Sequence, residues 1–299
     1  MSKIELPNGT YTALLTPFAE DLSVDEECLR KLVDFQVQNG VPAMVPCGTT
    51  GEAATLSTEE HKHVLEVVIE QAHSHAEKTL AIAGTGSNST SEAIDLTIFA
   101  EKAGADGALL ISPYYNKPTQ AGIIEHFKAI ASQTSLPIIV YNVPSRTSSN
   151  IEPATMLELA KVENIVACKE ASGNLDQITE IIRKAPEGFK VFSGDDSLTY
   201  AVMALGGSGV ICTTSNVAPK QCVELTNFLQ AGDFPSAREQ HLKLFDLFKV
   251  LFIETNPGPV KCAAEMVGLM SERLRLPLVP PSAANKEKIQ KVLENLGFI

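Results

Sequence analysis

The chain has 299 residues, of which 44% are hydrophobic and 20% are charged, and this balance excludes a disordered protein. With 24 Lys and Arg against 36 Asp and Glu, the net charge of −12 repels a phosphate backbone, so we expect no nucleic acid partner. No apolar run approaches the roughly 20 residues of a bilayer span, and the N-terminal segment lacks the pattern of a secretory signal. The sequence therefore predicts a cytoplasmic protein that does not enter a membrane.

Short apolar runs recur along the chain, and amphipathic stretches with helix-start signals such as Ser57–Glu60 and Ser89–Glu92 separate them. This alternation predicts a parallel sheet covered by helices. Eight such units favour a closed (β/α)8 TIM barrel, an α/β fold, over an open doubly wound sheet. The predicted strands lie at about 11–18, 41–48, 79–86, 107–115, 137–144, 164–172, 190–196 and 209–216.

The eighth unit ends near residue 230, so we predict that residues 1–230 form the barrel. Residues 231–299 indicate further helices at roughly 234–254, 258–270 and 284–297. Because no flexible linker precedes these helices, they are predicted to be a C-terminal helical extension packed on the barrel.

A TIM barrel carries its active site at the C-terminal ends of its strands, so polar residues there are the candidates. Lys169 stands out because it follows Ile165–Cys168, an apolar run that is expected to be buried. An apolar setting disfavours the charged ammonium, and the neutral amine can attack a carbonyl group. Alternatively, the ammonium of Lys169 reaches the barrel mouth and pairs with Glu170 or with an aspartate of strand 7.

Hydroxyl groups from three other strand ends favour the catalytic interpretation of Lys169. Thr49, Tyr115 and Tyr141 follow or end strands 2, 4 and 5, and a chain of hydroxyls can move protons during carbonyl chemistry. Taken singly, each tyrosine is more often a core aromatic residue with a satisfied hydroxyl.

Two further features of the strand ends suit carboxylate groups. Arg146 follows strand 5 in a predicted loop, and its planar fork matches a substrate carboxylate, although a surface or interface ion pair is an equal alternative. The Gly48–Gly51 segment is predicted to present backbone N–H groups and two hydroxyls at a tight turn, and such a turn can bind a small carboxylate.

We expect neither a metal ion nor a cofactor. The six histidines all fall in predicted helices without a metal-binding spacing, and Asp195-Asp196 is too little for a magnesium site. The Gly84-x-Gly86 pair lacks the third glycine of a dinucleotide fingerprint.

Four segments together resemble the dihydrodipicolinate synthase family, a group of pyruvate-dependent class I aldolases that includes N-acetylneuraminate lyase. These segments are Gly48–Glu52, Tyr114–Pro118, Tyr141–Thr147 and Lys169–Gly173. The likeness extends from about Gly9 to Pro277, nearly the whole chain, and the loop that holds Arg146 is its more specific mark.

The resemblance implies an enzyme that condenses pyruvate with L-aspartate 4-semialdehyde to 4-hydroxy-tetrahydrodipicolinate, at the start of lysine and diaminopimelate biosynthesis. It implies that Lys169 forms a Schiff base with pyruvate and that Tyr141 transfers protons through Thr49 to Tyr115 of a neighbouring subunit. It implies that Thr49 and Thr50 hold the pyruvate carboxylate and that Arg146 receives the carboxylate of aspartate semialdehyde. It also implies that the backbone at Gly194 and Ile211 lines the site. It further implies a homotetramer built as a dimer of dimers.

The resemblance also implies feedback inhibition by lysine at an interface pocket formed by residues matching His61, Asn88, Glu92 and Tyr114. Ala53 and Thr58 stand where serine and histidine are frequent in sensitive members. Losing one or two neutral hydrogen bonds at about 0.5–1.5 kcal/mol each predicts inhibition that is partial.

Two other functions remain open. A sugar-acid lyase of the same superfamily would share Lys169 and Tyr141 but would not need Arg146. A non-catalytic barrel that binds a keto acid as a sensor would be expected to lack one catalytic side chain, and none is missing.

Overall fold

The computed structural model describes residues 6–76 and 79–299, and within these ranges eight parallel strands close into a barrel in chain order. The predicted TIM barrel is therefore confirmed. Residues 1–5, which belong to the N-terminal segment predicted to lack a secretory signal, lie outside the described residues. The strands are β1 (Gly9–Ala13), β2 (Ala43–Val45), β3 (Leu80–Gly84), β4 (Gly107–Ile111), β5 (Ile138–Asn142), β6 (Ile165–Glu170), β7 (Lys190–Ser193) and β8 (Gly209–Cys212).

The observed strands are shorter than the predicted apolar runs at their C-terminal ends. β4 ends at Ile111 and β7 at Ser193, whereas the predicted runs continue through the polar residues that follow. Residues beyond the strand ends bond to one another across the barrel mouth. The Thr16 hydroxyl donates to the Gly51 carbonyl at 2.7 Å, and the Thr214 backbone N–H donates to Asp196 Oδ2 at 2.7 Å. The polar strand ends are therefore loops that build a site.

Two apolar layers follow from the alternation of side chains along each strand. Inward-facing residues such as Tyr11, Ile139 and Phe192 fill the barrel, while outward-facing residues such as Val140 and Cys168 pack under the helices. Because successive residues of a strand point to opposite faces, the barrel interior receives Ala167 and Lys169 from β6.

Helices cover the outside of the barrel. They are α1 (Glu26–Gln38), α2 (Thr58–His73), α3 (Thr90–Ala103), α4 (Gln120–Ala131), α5 (Pro144–Thr147), α6 (Pro153–Leu159), α7 (Leu175–Lys184), α8 (Thr199–Ala204) and α9 (Pro219–Gln230). The predicted start of α2 is confirmed, because Ser57 and Glu60 form a reciprocal capping box. The predicted start of α3 is also confirmed, because the helix begins at Thr90 directly after Ser89. The Ser89 side chain makes no capping hydrogen bond, and Glu92 accepts one from the hydroxyl of Ser87.

Three helices follow α9, namely α10 (Phe234–Val250), α11 (Gly258–Met266) and α12 (Ala283–Leu296). The first two end about four residues before their predicted ends, because the chain turns before Asn256-Pro257 and after Val267. Leu247, Val260 and Ile289 belong to the same apolar layer as the barrel helices. We therefore propose that residues 231–299 extend the barrel of residues 1–230 and share its core. No helix in the described part of the chain is long and apolar enough to cross a membrane.

Candidate active site

The register of two adjacent strands brings Lys169 and Tyr141 together inside the barrel. β5 and β6 pair Tyr141 with Lys169, and both side chains are about 93% buried, with 7% of their surface exposed. The Lys169 amine, Nζ, lies 4.3 Å from the centroid of the Tyr141 ring. Both residues line a cavity of about 160 Å3 at the mouth of the barrel. An amine in this position can meet a carbonyl compound that enters the cavity.

Glu170 is not the ion-pair partner of Lys169 that one alternative interpretation required. It faces the helix layer, where its carboxylate accepts hydrogen bonds from Asn142 Nδ2 at 3.0 and 3.1 Å and from the Ser172 backbone at 2.8 Å. Burial raises the pKa of Glu170, and these hydrogen bonds oppose the rise.

Asp195 lines the same cavity as Lys169. Burial and the neighbouring Asp196 raise the pKa of Asp195, while the positive charge of Lys169 lowers it. Lys169 therefore acts electrostatically on Asp195, which lies two residues beyond the end of β7.

A tight turn after β2 supplies two threonines to the cavity. Gly51 is required there, because a Cβ at this position would lie 2.9 Å from the Leu14 carbonyl oxygen. Thr49 and Thr50 both line the cavity. Asn256 Nδ2 donates to Thr50 Oγ1 at 3.0 Å, and that hydroxyl also lies 3.4 Å from Thr213 Oγ1, where either oxygen can be the donor.

Arg146 lies on the short helix α5, which corrects the prediction that it is in a loop. Pro144 begins this helix, because proline has the backbone angle of a first helical position and needs no donor there. The guanidinium donates to the carbonyl of Asn256 at 3.5 Å, and Arg146 lines the cavity that holds Lys169. A cation in the same cavity as the buried amine suits a second acidic group on a substrate.

A larger cavity of about 560 Å3 also contacts Thr49, Tyr141 and Arg146. Four of the predicted regulatory residues line it, namely Ala53, His61, Glu92 and Tyr114. Buried His61 bonds through Nε2 to the Gly84 carbonyl oxygen at 2.7 Å, and burial lowers its pKa. Asn88 stands beside this group and donates to the backbone carbonyl of Tyr114 at 3.0 Å.

Of the three remaining predicted site residues, Gly194 lines the smaller cavity, whereas Ile211 and Tyr115 do not. Gly194 lines the smaller cavity, where a Cβ would lie only 2.5 Å from that of Ala171. Ile211 is 1% exposed and packs inside the barrel, while Thr213, just beyond β8, lines the cavity. Tyr115 is 90% exposed, with a left-handed backbone at φ 73°, and lines neither of the two cavities of its own chain.

Asn256 is the site residue that sequence reasoning missed. It is 5% exposed, lines both cavities, and contacts both Thr50 and Arg146. It lies beyond the last strand, and the strand-end rule could not select it. The Asn256-Pro257 pair marks a break between helices, but that signal says nothing about a contact with β2.

Across residues 6–76 and 79–299, no group of three or more His, Cys, Asp or Glu side chains is placed to hold a metal ion. One histidine departs from the prediction that all six are helical: His75 lies beyond the end of α2 and pairs with Asp34 at 2.7 Å.

The fold and the cavity define a class: a (β/α)8 barrel with a buried lysine and tyrosine paired at its mouth. A model of the dihydrodipicolinate synthetase family matches residues 6–296, and the chain belongs to that family. The family and the enzyme class predicted from the sequence are thereby confirmed.

Three relatives illustrate the likeness. The 4-hydroxy-tetrahydrodipicolinate synthase of Aquifex aeolicus is 51% identical over 97% of this chain and 98% of the relative, and its crystal structure matches with a TM-score of 0.94. A chloride-inhibited dihydrodipicolinate synthase from Acinetobacter baumannii, complexed with pyruvate, is 42% identical over 98% of this chain and 99% of its own, with a TM-score of 0.95. The enzyme from Cyanidioschyzon merolae with lysine bound is 38% identical over 99% of this chain and 100% of its own, also with a TM-score of 0.95.

Proposed function

We propose that this protein condenses pyruvate with L-aspartate 4-semialdehyde to 4-hydroxy-tetrahydrodipicolinate through a Schiff base on Lys169. The observation that carries the proposal is the buried Lys169 amine beside Tyr141, in a cavity that also presents Thr49, Thr50 and Arg146. Relatives named for this activity match nearly the whole chain. Each group in the cavity suits one part of the two substrates.

In the first half of the reaction, Lys169 Nζ attacks the keto carbon of pyruvate, and loss of water gives the imine. The Thr49-Thr50 turn binds the pyruvate carboxylate. Removal of a proton from the pyruvate methyl group then gives the enamine. Tyr141 accepts this proton while its own phenolic proton passes to Thr49, because the tyrosine side chain lies against the lysine and Thr49 lines the same cavity.

In the second half, the enamine carbon attacks the aldehyde carbon, and the aldehyde oxygen takes a proton from Tyr141. Arg146 binds the carboxylate of the semialdehyde, since a guanidinium can form two parallel hydrogen bonds to a carboxylate. The substrate amine then adds to the imine carbon and displaces Lys169, which closes the ring and frees the enzyme.

We infer that Tyr115 completes the proton path of another subunit in a homotetramer built from two dimers. Its side chain is 90% exposed and contacts neither cavity of its own chain, which suits a residue that enters a neighbour's site. Thr49 lines both cavities and would connect the two tyrosines.

We further propose that lysine binds in the larger cavity as a feedback inhibitor. The Glu92 carboxylate suits an ammonium group of the ligand, while His61 and Tyr114 line the same space. Ala53 and Thr58 also line it and provide fewer polar groups than serine and histidine would. Inhibition is therefore partial.

An assay of the purified protein with two substrate pairs tests the function. Turnover of pyruvate with aspartate semialdehyde, and none with N-acetylmannosamine, is the expected result. Turnover of pyruvate with N-acetylmannosamine, and none with aspartate semialdehyde, would establish a sugar-acid lyase. Pyruvate binding without turnover of either pair would establish a keto-acid sensor.

A further inference from the structure

A buried ion pair lies directly behind the turn that carries Thr49 and Thr50. Lys261 Nζ on α11 lies 2.5 Å from Glu52 Oε1, and neither side chain has any exposed surface. Burial lowers the pKa of Lys261 to about 8, and the charge of Glu52 opposes that shift. A buried ion pair gives little net stability compared with apolar residues of the same volume, so its presence here calls for another role.

The contacts around the pair fix it in one arrangement. Lys261 Nζ also donates to the Arg273 carbonyl at 2.7 Å and lies 4.1 Å from the centroid of the Phe18 ring. The second carboxylate oxygen of Glu52 accepts from the Arg275 backbone at 3.2 Å. Both charges thus have more than one partner. The loop after β1 meets the ion pair at Lys261, and the segment before α12 meets it at both residues.

The backbone of Glu52 continues the threonine turn. Its N–H donates to the Thr49 carbonyl at 3.1 Å, and its φ of 54° is left-handed, an unusual conformation for a residue other than glycine. The carboxylate of the same residue pairs with Lys261, so the turn is linked to a helix more than 200 residues away along the chain.

We propose that Glu52 and Lys261 are positioning residues for the pyruvate carboxylate, because their ion pair holds the Gly48–Glu52 turn in the geometry that presents Thr49 and Thr50 to the ligand. The proposal rests on the proposed function. It gives the C-terminal extension a role in substrate binding, since α11 supplies the cation.

The test compares Glu52→Gln, Lys261→Met and the double variant with the wild type. Measurements are the KM values for pyruvate and aspartate semialdehyde, kcat, the melting temperature, and the pyruvate concentration that gives half-maximal borohydride-trapped adduct. Each single variant should raise the pyruvate KM and the half-trapping concentration between about tenfold and a hundredfold, because small displacements of positioning groups cost that much. The aldehyde KM should stay within about threefold of wild type, since α5 and its arginine are untouched.

The double variant separates positioning from stability. With neither charge left unpaired, it should recover most of the melting temperature that the single variants lose. Its pyruvate KM should stay raised, because the link to the turn is still absent. This measurement also applies if a single variant fails to fold.

Lys286→Met is the matched control, because Lys286 forms an ion pair with Glu272 in the same extension without contacting the turn. It should keep the wild-type pyruvate KM. A double variant with a wild-type pyruvate KM, or single variants that raise both substrate KM values equally, would overturn the positioning role. Either result would leave the proposed function standing. A wild type that forms no pyruvate adduct would overturn the proposed function and this inference with it.

Discussion

Lys169 shows how one residue acquires its chemistry from its neighbours. On a surface helix this side chain would extend into water, but on β6 it is 93% buried against a tyrosine ring and next to a cavity. The cavity gives a small carbonyl compound access to the amine.

We predict that Lys169 is the covalent residue. Borohydride added with pyruvate should trap a pyruvyl group on Lys169, because reduction converts the imine into a stable secondary amine. Peptide mass spectrometry locates the adduct, and Lys169→Ala should lose almost all activity. An adduct on a different lysine, with Lys169 unmodified, would contradict the mechanism.

Arg146 should act on the aldehyde substrate and not on pyruvate. Arg146→Ala removes a charged contact worth about 1.5–3 kcal/mol, so kcat/KM for aspartate semialdehyde should fall roughly 10- to 150-fold. Steady-state kinetics and borohydride trapping measure the two effects separately. Arg183→Ala, at an exposed position of α7, serves as the control. If trapping by pyruvate is lost and the aldehyde kinetics are normal, the two carboxylate assignments are reversed.

Glu92 is the residue on which inhibition by lysine should depend. Wild type should be partly inhibited at millimolar lysine, and Glu92→Ala should be less sensitive because the ligand loses its carboxylate partner. Initial rates over a lysine titration measure this. Asp95→Ala, one turn further along α3 and outside the larger cavity, should respond like wild type. Equal inhibition of wild type and Glu92→Ala, or none of the wild type, would rule out the site.

At the scale of elements, the pairing of β5 with β6 places reactive side chains inside the barrel and a hydrogen-bonded pair outside it. The register that pairs Tyr141 with Lys169 inside the barrel also pairs Asn142 with Glu170 outside it. The outer pair is hydrogen-bonded through two carboxylate oxygens, so it fixes the relative position of the two strands that carry the reactive groups.

Glu170→Gln should therefore lower both stability and activity. The glutamine amide cannot accept from all the donors that now meet the carboxylate, and an unsatisfied buried group costs about 1–3 kcal/mol. Urea unfolding should show that the free energy of unfolding falls by this amount. The value of kcat should fall as well, although Lys169 itself is unchanged. Glu187→Gln, at an exposed position, is the matched control. A variant with wild-type stability and kcat would show that the pair does not hold the strands.

At the scale of the molecule, Tyr115 is 90% exposed on its own chain, and the proposal is that it completes the proton path of a neighbouring subunit. Sedimentation of the active enzyme should show at least a dimer. Tyr115→Phe should lower kcat because the path loses a hydroxyl, without changing the sedimentation coefficient. A wild-type monomer with full activity would refute a shared site.

The sequence by itself determined the barrel, the order of its units, and the residues at the ends of its strands. These depend on local periodicity and on the rule that parallel barrels place their sites at strand C-termini. The family segments are also contiguous, so Lys169, Tyr141 and Arg146 could be found without coordinates. Helix α5 and the missing cap at Ser89 escaped prediction, because competing short-range hydrogen bonds decide such details.

Only the tertiary structure decided which distant residues meet. Asn256 bonds to Thr50 across 206 positions, and Lys261 pairs with Glu52 across a similar separation. The sequence near Asn256 predicts a helix break, and the sequence near Lys261 predicts an apolar helix. Neither pattern identifies a partner in the Gly48–Glu52 turn after β2. Contacts of this kind follow from how the C-terminal helices pack on the closed barrel. Packing depends on the shape of the whole core, which local periodicity does not specify.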